Sequence, residues 1–409
     1  MAFQLASSGP IINCEVALTS SKSISNRVLI IRALSGASFR IDNLSTSTDT
    51  QVLLSALSNL SEEINVKDAG TAFRFLVSYL SAQTGRFILT GSSRMKLRPI
   101  GPLIDSLHQL GAKIDYLEEE GFPPINIIGK KIIGGQVTLN RSLSSQFASS
   151  LLMISPYFEN GLTLELVGEE SSDSYLEMTI GIMKYFGADI NRETKRIVVS
   201  PKLYTSKDFK VENDWTAASY WYSLCALNPG SEFALHGLNE SSYQGDSIVA
   251  NLMQAFGVNT KFEKERVVIS SVYEKLSNSI ADFKFDFSSH PDLVMTFAVL
   301  CAAKRINGTF TGIHTLRIKE SDRLAVLKTE LNKCGVEVLI EENNMKIVSK
   351  GTFKHPEIIN VHNDHRIAMA FAPLASVLSS VSFDDINVVA KSYPEFWKQL
   401  SLTGLKFTS

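Results

Sequence analysis

Apolar and polar positions recur along the chain in one cadence. An amphipathic, helix-spaced stretch closes on a glycine, a small or β-branched residue follows, and a strand-like alternation begins. This happens at residues 107–114, 183–190, 253–258 and 331–338, and in weaker form at 399–405. Just past a helix, glycine takes the left-handed conformation that a Cβ penalises, so each instance predicts a glycine-capped helix turning directly into a strand. The glycines are Gly111, Gly187, Gly257, Gly335 and Gly404, separated by 76, 70, 78 and 69 residues. A unit of about 70 residues, with a degenerate first copy near 53–64, would fill the chain about six times. Predicted strands at 125–128, 136–139, 162–166, 196–199, 267–270 and 345–348 are short, β-branched or alternating. The expected fold class is α/β, or α+β, built of many short units.

Composition narrows the reading. The 409 residues, 44% hydrophobic and 20% charged, suit an ordinary globular protein of two or three domains. Forty Lys and Arg against 42 Asp and Glu give a net charge of −2, so there is no global basic excess to neutralise a nucleic-acid backbone. The longest strongly apolar stretch, 293–303, falls short of the ~20 residues that cross a bilayer. Residues 1–21 lack the basic-then-apolar plan of a secretory signal. A cytoplasmic protein with no membrane or nucleic-acid partner is expected. Cys14, Cys225, Cys301 and Cys334 are scattered, with no CxxC and no HExxH, which fits free thiols and no structural zinc. Neither GxGxxG nor a P-loop occurs.

Five regions concentrate polar chemistry. The first runs Thr19-Ser20-Ser21-Lys22-Ser23-Ile24-Ser25-Asn26-Arg27 into a helical run at 28–34. Serines cap helix starts, and two cations in the first turns, where the dipole disfavours them, point to an anionic ligand. The second is Asp68-Ala69-Gly70-Thr71-Ala72-Phe73-Arg74, small residues that permit close backbone approach. In the third, Arg94-Met95-Lys96-Leu97-Arg98 precedes Pro99, which is expected to open a helix over 100–110. The fourth pairs Ser142-Leu143-Ser144-Ser145-Gln146 with Ser171-Ser172-Asp173-Ser174-Tyr175, donors suited to sugar hydroxyls or phosphate. The fifth interleaves acids and bases: His290-Pro291-Asp292, Arg317 to Arg323, His362-Asn363-Asp364-His365-Arg366 and Ala390-Lys391. That mixture suits proton transfer beside an anion site. Taken singly, each region also fits a plain helix cap, a tight turn or solvated ion pairs.

In order, these stretches resemble the motifs of the EPSP synthase family of enolpyruvyl transferases, and the match runs nearly end to end. It is carried by Ser21-Lys22-Ser23 with Arg27, Ala69-Gly70-Thr71-Ala72, Arg94-Met95-Lys96 with Arg98-Pro99-Ile100, Ser144-Ser145-Gln146, Lys319-Glu320-Ser321-Asp322-Arg323, Asn363-Asp364-His365-Arg366 and Ala390-Lys391. The resemblance implies an inside-out α/β barrel of two lobes, each of three βαβαββ repeats. Lobe 1 would combine 1–18 with 214–409; lobe 2 would be 19–213, with the active site in the cleft near the Lys22 crossover. The implied reaction moves the enolpyruvyl group of phosphoenolpyruvate to the 5-hydroxyl of shikimate-3-phosphate, in the shikimate pathway to chorismate. It proceeds by addition and elimination, without metal or organic cofactor. The family implies a monomer and a glyphosate target.

By position, Lys22, Ser23, Arg27, Ser144, Ser145, Gln146, Ser172, Tyr175, Asp292 and Lys319 resemble the shikimate-3-phosphate contacts. Lys22, Gly70, Arg98, Gln146, Arg323, Arg366 and Lys391 resemble the phosphoenolpyruvate contacts. Asp292 is the candidate base, Glu320 the candidate for proton transfer at the methylene carbon, and Lys22 a further proton donor. Two substrates bring two phosphates and two carboxylates, which Lys22, Arg27, Arg98, Lys319, Arg323, Arg366 and Lys391 would counter. Asp68, Phe75, Thr315 and Trp215 depart from the commonest pattern, and Asp68 adds a negative charge near phosphoenolpyruvate. The alternatives are a UDP-N-acetylglucosamine enolpyruvyl transferase, which usually carries a loop cysteine that residues 91–102 lack, and a non-catalytic anion-binding homologue.

Overall fold

The computed structural model describes residues 2–142, 144–169, 172–271, 280–349 and 352–408, so Leu143 and Ser171 of the serine-rich stretches lie outside the described residues. The chain divides into two compact units, Met1–Ser20 with Glu212–Ser409, and Ser21–Val211.

Four sheets share one topology. In the first, Glu63–Asn65 and Gly85–Thr90 run parallel, and Ile125–Gly129 and then Lys113–Tyr116 extend the sheet antiparallel. In the second, Gly135–Asn140 lies parallel to Leu162–Val167, followed by Arg196–Val199 and Ile190–Arg192. The third orders Cys14–Val16, Glu232–His236, Arg266–Ser271 and Val258–Glu263 in the same way. The fourth orders Asp282–Asp286, Asn307–Thr311, Asn344–Val348 and Glu337–Glu341. The parallel pair needs a helical crossover and the antiparallel pair only a hairpin, so each unit reads strand, helix, strand, helix, hairpin. Phe3–Ser7 pairs with Ser380–Phe383 and Leu405–Phe407, and Phe209–Lys210 with Ile41–Asp42. No sheet closes on itself among the described residues.

The glycine caps are as the spacing predicts. Gly111, Gly187, Gly257, Gly335 and Gly404 all have φ between 77° and 91°. Strands begin within three residues of each. The six predicted strands are found with ends displaced by at most one residue. The first helix, Lys22–Ser35, starts on the serines as expected: the Ser21 hydroxyl caps it by accepting from the Ile24 N–H, which puts Lys22 and Arg27 in its first two turns. One helix start differs from expectation. Pro99 does not open the helix expected over 100–110, which is Gly101–Gln109, with Ile100 at its N-cap and Pro102 in its first turn.

Each unit has its own core. In Ser21–Val211 it centres on Phe73, Leu76, Leu103, Ile127, Leu151 and Ile182, all fully buried. In the other unit, the apolar stretch forms the helix Val294–Lys304, buried on every face down to Ala302. Phe297 of this helix stacks on Phe283 at 5.2 Å and packs with Phe256 and Phe287 at 5.7 Å. Phe297→Ala would cost about 3–5 kcal/mol. Asp292 sits in the 3-10 turn Pro291–Leu293 that leads into this helix, so the aromatic cluster fixes its position. Among the described residues no helix is long and apolar enough to cross a membrane.

Candidate active site

Within Ser21–Val211, the helix Lys22–Ser35 has no acid in its first turn. Lys22 Nζ pairs instead with Asp49 Oδ2 at 3.0 Å, from the first turn of the helix Thr48–Ser58. Arg27 is only 2% exposed. It donates to Thr179 Oγ1 (2.7 Å), the Ser23 carbonyl (2.8 Å), the Tyr175 carbonyl (3.1 Å) and Ser149 Oγ (3.4 Å), all neutral acceptors. Its guanidinium lies 5.4 Å over the Phe75 ring. Burial pushes Arg27 down to about 10, which leaves it cationic at neutral pH. Phe75 thus offers a π face to a buried cation, worth about 2 kcal/mol when desolvated.

Gly70 opens the helix Gly70–Ser81, whose N-cap Ala69 makes no side-chain cap hydrogen bond. Arg98 packs directly on it. A Cβ at Gly70 would lie 2.6 Å from Arg98 Cζ, closer still to Arg98 Nη1, and 2.9 Å from Arg74 Nη1. Arg98 is buried, its Nε has no hydrogen-bond partner, and no carboxylate pairs with its guanidinium among the described residues. Arg74 Nη1 donates to the Gly70 carbonyl (3.2 Å) and to Gln146 Oε1 (3.1 Å). Gln146 Nε2 donates to Thr71 Oγ1 (3.2 Å). Ser144 caps the helix Ser145–Ile154 by accepting from the Gln146 N–H at 3.2 Å. Gly70, Arg98 and Gln146 therefore share one cluster with Ser144, and the buried Ser145 begins the same helix. Ser172 adopts a left-handed backbone (φ 57°) at the start of the helix Asp173–Tyr185, and its carbonyl accepts from the Tyr175 N–H. Tyr175 joins the Arg27 group through its own carbonyl, whereas Lys22 is tied to Asp49. Asp68 accepts from the Ser92 hydroxyl, which offsets part of its charge.

The other unit gathers acids around guanidinium groups. Arg323 is the first residue of the helix Arg323–Lys333, where the dipole opposes its charge. Three carboxylates outweigh that: Asp364 at 2.8 Å from Nε, Glu320 at 2.8 Å from Nη2 and Asp292 at 3.0 Å from Nη1. Burial works against the Arg323 charge, but Asp364, Glu320 and Asp292 together push its pKa above the usual range. Arg366 Nη2 holds the other oxygen of Asp292 at 2.7 Å. Asp364 is fully buried, caps the helix His365–Phe371 through the Arg366 N–H, and also accepts from Ser321. Lys391 Nζ donates to the Asn363 carbonyl and Oδ1, at 3.0 and 3.1 Å. These bonds hold His362 and Asn363, which take two successive left-handed conformations. Asp292, Glu320, Arg323 and Arg366 are brought together. Lys391 reaches their loop through Asn363. Lys319 follows the 3-10 turn His314–Ile318, which contains the buried Thr315. Trp215 is fully buried and donates its indole N–H to Glu212 at 3.0 Å.

Asp49, Thr71, Arg74 and Asp364 belong to these clusters but had no assigned role in the sequence. Arg74 and Asp364 lie inside the motifs already singled out. Asp49 carries no local signal, because its partner is 27 residues away.

The family model described as EPSP synthase (3-phosphoshikimate 1-carboxyvinyltransferase) matches residues 8–68 and 61–400. A 3-phosphoshikimate 1-carboxyvinyltransferase of Bacteroides fragilis is 42% identical over 397 residues, covering 96% of each chain. That of Colwellia psychrerythraea is 35% identical over 419 residues, covering 95% of this chain and 96% of its own. The solved EPSP synthase of Acinetobacter baumannii superposes with a TM-score of 0.77 at 20% identity, covering 100% of this chain and 99% of its own, so the two share a fold.

Proposed function

The chain belongs to the EPSP synthase family, and we propose that it transfers the enolpyruvyl group of phosphoenolpyruvate to the 5-hydroxyl of shikimate-3-phosphate, releasing phosphate. It is a transferase. The observation that carries the reading is Arg98, a buried cation against Gly70 with no carboxylate paired to it among the described residues. A buried charge without a counter-ion costs several kcal/mol, and a substrate anion would remove that cost.

Gly70, Arg98 and Gln146, with Lys22, receive phosphoenolpyruvate. Ser23, Arg27, Ser144, Ser145, Ser172, Tyr175 and Lys319 receive shikimate-3-phosphate. In the resting protein, Arg323 and Arg366 hold Asp292, and Arg323 also holds Glu320. Substrate anions offer these guanidinium groups alternative partners, and the carboxylates are thereby released for proton transfer. Asp292 takes the 5-hydroxyl proton as that oxygen bonds to C2 of phosphoenolpyruvate. Glu320, freed from Arg323 and in its protonated form, gives its proton to C3, with Lys22 as a further donor. The tetrahedral adduct then returns a proton from the new methyl group to the Glu320 carboxylate as the C2–O bond to phosphate breaks, which re-forms the C2–C3 double bond in the enol ether product.

The six-unit organisation, three βαβαββ units to a lobe in an inside-out barrel, is part of the same proposal and is supported by the four sheets of common topology. A cytoplasmic monomer, with glyphosate competing against phosphoenolpyruvate, completes it; unchanged phosphoenolpyruvate kinetics at high glyphosate would remove that last element. The deciding assay is phosphate release from phosphoenolpyruvate with shikimate-3-phosphate, run beside the same assay with UDP-N-acetylglucosamine. Release with the first acceptor alone is expected. Absence of release with it overturns the proposal.

A further inference from the structure

The parallel strands Gly135–Asn140 and Leu162–Val167 end side by side, and the Arg141 N–H still donates to the Val167 carbonyl at 3.0 Å. The strand ladder ends at Asn140 and Val167. Of the two segments that follow, one carries Ser144, Ser145 and Gln146; the other carries Ser172 and Tyr175. Arg141 links them. Its Nη1 donates to both oxygens of Asp173, at 2.9 and 3.1 Å, and its side chain is only 2% exposed. Asp173 also lies 3.6 Å from Arg192 Nη2, and Arg192 Nε holds Glu177 at 3.1 Å. Shorter ties lie beside it: Asn140 Oδ1 accepts from the Ser142 N–H, and Ser142 Oγ from the Glu169 N–H.

Asp173 opens its helix, where the dipole favours a carboxylate, and it follows directly on Ser172. Ser172 is held in a left-handed conformation that costs a non-glycine residue about 1 kcal/mol or more. Something must fix that conformation, and the adjacent clamp is a carboxylate gripped by a buried guanidinium. We propose that Arg141 and Asp173 are positioning residues, which set the spacing between the Ser144–Gln146 and Ser172–Tyr175 segments and so shape the sugar-phosphate subsite. Neither contacts the ligand in this scheme. The inference rests on the reading that these serines and Tyr175 receive shikimate-3-phosphate.

The test is a mutant cycle of Arg141→Gln, Asp173→Asn and the double variant, with Arg141→Lys as the conservative control. Shikimate-3-phosphate binding is measured by calorimetry without phosphoenolpyruvate, and amide hydrogen exchange is followed over residues 172–176 in unliganded protein. Each single variant is expected to weaken binding about tenfold and to speed exchange in that segment. The double variant should match the worse single within about twofold, because one tie is removed only once. Arg141→Lys, which keeps the charge but not the fork, should fall between. Unchanged affinity, or additive losses, overturns the proposal. So does a fall in thermal stability with normal exchange at 172–176. Wild-type protein that binds no shikimate-3-phosphate overturns the substrate reading and this subsite with it, while the exchange result still decides whether the tie holds the segment.

Discussion

Gly70→Ala isolates the contact on which phosphoenolpyruvate binding is proposed to depend. Gly70 is the first residue of a helix, so alanine is conformationally welcome there and would gain a few tenths to about 1 kcal/mol in folding. The three atoms nearest the added Cβ all belong to side chains. The Cβ meets the far ends of two flexible side chains, Arg98 Cζ at 2.6 Å and Arg74 Nη1 at 2.9 Å. The Arg98 guanidinium must retreat by about 1 Å to reach the ~3.5 Å of ordinary carbon contact. A displacement of that size breaks a charge-assisted hydrogen bond to a bound anion, worth about 1.5–3 kcal/mol, or a ~10- to 150-fold loss of affinity. Melting temperature should therefore hold or rise slightly, while KM for phosphoenolpyruvate rises at least tenfold and shikimate-3-phosphate affinity stays put. Steady-state kinetics with each substrate varied in turn, beside a thermal melt, reads all three quantities. A Gly70→Ala enzyme with wild-type KM for phosphoenolpyruvate would refute the placement of that substrate on Arg98.

Three further outcomes follow from other contacts. Asp68→Asn removes a carboxylate near the Gly70 helix start, and KM for phosphoenolpyruvate should fall by roughly threefold to tenfold, as about 1 kcal/mol of removed repulsion gives; an unchanged or higher KM would show that Ser92 already neutralises Asp68. Asp364→Asn breaks a fully buried pair with Arg323 and should cost about 3–5 kcal/mol in denaturant unfolding; a loss below 1 kcal/mol would contradict the pairing. Burial raises the Glu212 pKa against opposing hydrogen bonds from Ser242, Gln244, the Asn239 N–H and Trp215. The folded protein then binds more protons here than the unfolded chain. This contribution is complete below the ordinary glutamate value and is lost as pH rises through the higher folded value. As pH rises above the ordinary glutamate range the wild type should lose stability relative to Glu212→Gln, and unfolding midpoints that stay parallel as pH rises would disprove it.

What the sequence made legible was local. Five glycine caps and six strands can be read because a left-handed turn and a two-residue alternation depend on neighbours in the chain. The helix at 101–109 was misread by one proline because Pro99 and Pro102 both satisfy the rule for a helix start, and the position of the Ile100 N–H, bonded to the Gly121 carbonyl, decides between them. The site was legible as a set of residue types but not as a set of pairings. Lys22 with Asp49, Arg323 with Asp292 and Asp364, and Arg141 with Asp173 span 27 to 41 residues, and no spacing rule links them. The departure at Phe75 also acquires its physical sense only in three dimensions, as the face beneath Arg27.

A net charge of −2 conceals two unlike ways of keeping cations. Arg98 and Arg27 are buried on neutral groups and aromatic or glycine surfaces, so a bound anion there displaces no carboxylate. Arg366 and Arg323 already grip Asp292, Glu320 and Asp364, so an anion binding there must exchange with a protein carboxylate. Under the proposed function, the gain in binding would therefore be concentrated at Arg98, and the consequence for chemistry at Arg366 and Arg323, where exchange would free Asp292 and Glu320. Arg98→Gln should raise KM for phosphoenolpyruvate at least tenfold with a smaller change in kcat. Arg366→Gln, at a more accessible side chain than Arg323, should lower kcat by a larger factor than it raises KM, because Asp292 loses the partner whose exchange couples anion binding to proton transfer. If Arg366→Gln raised KM alone, its carboxylate contact would be structural, and the exchange step would have to be abandoned.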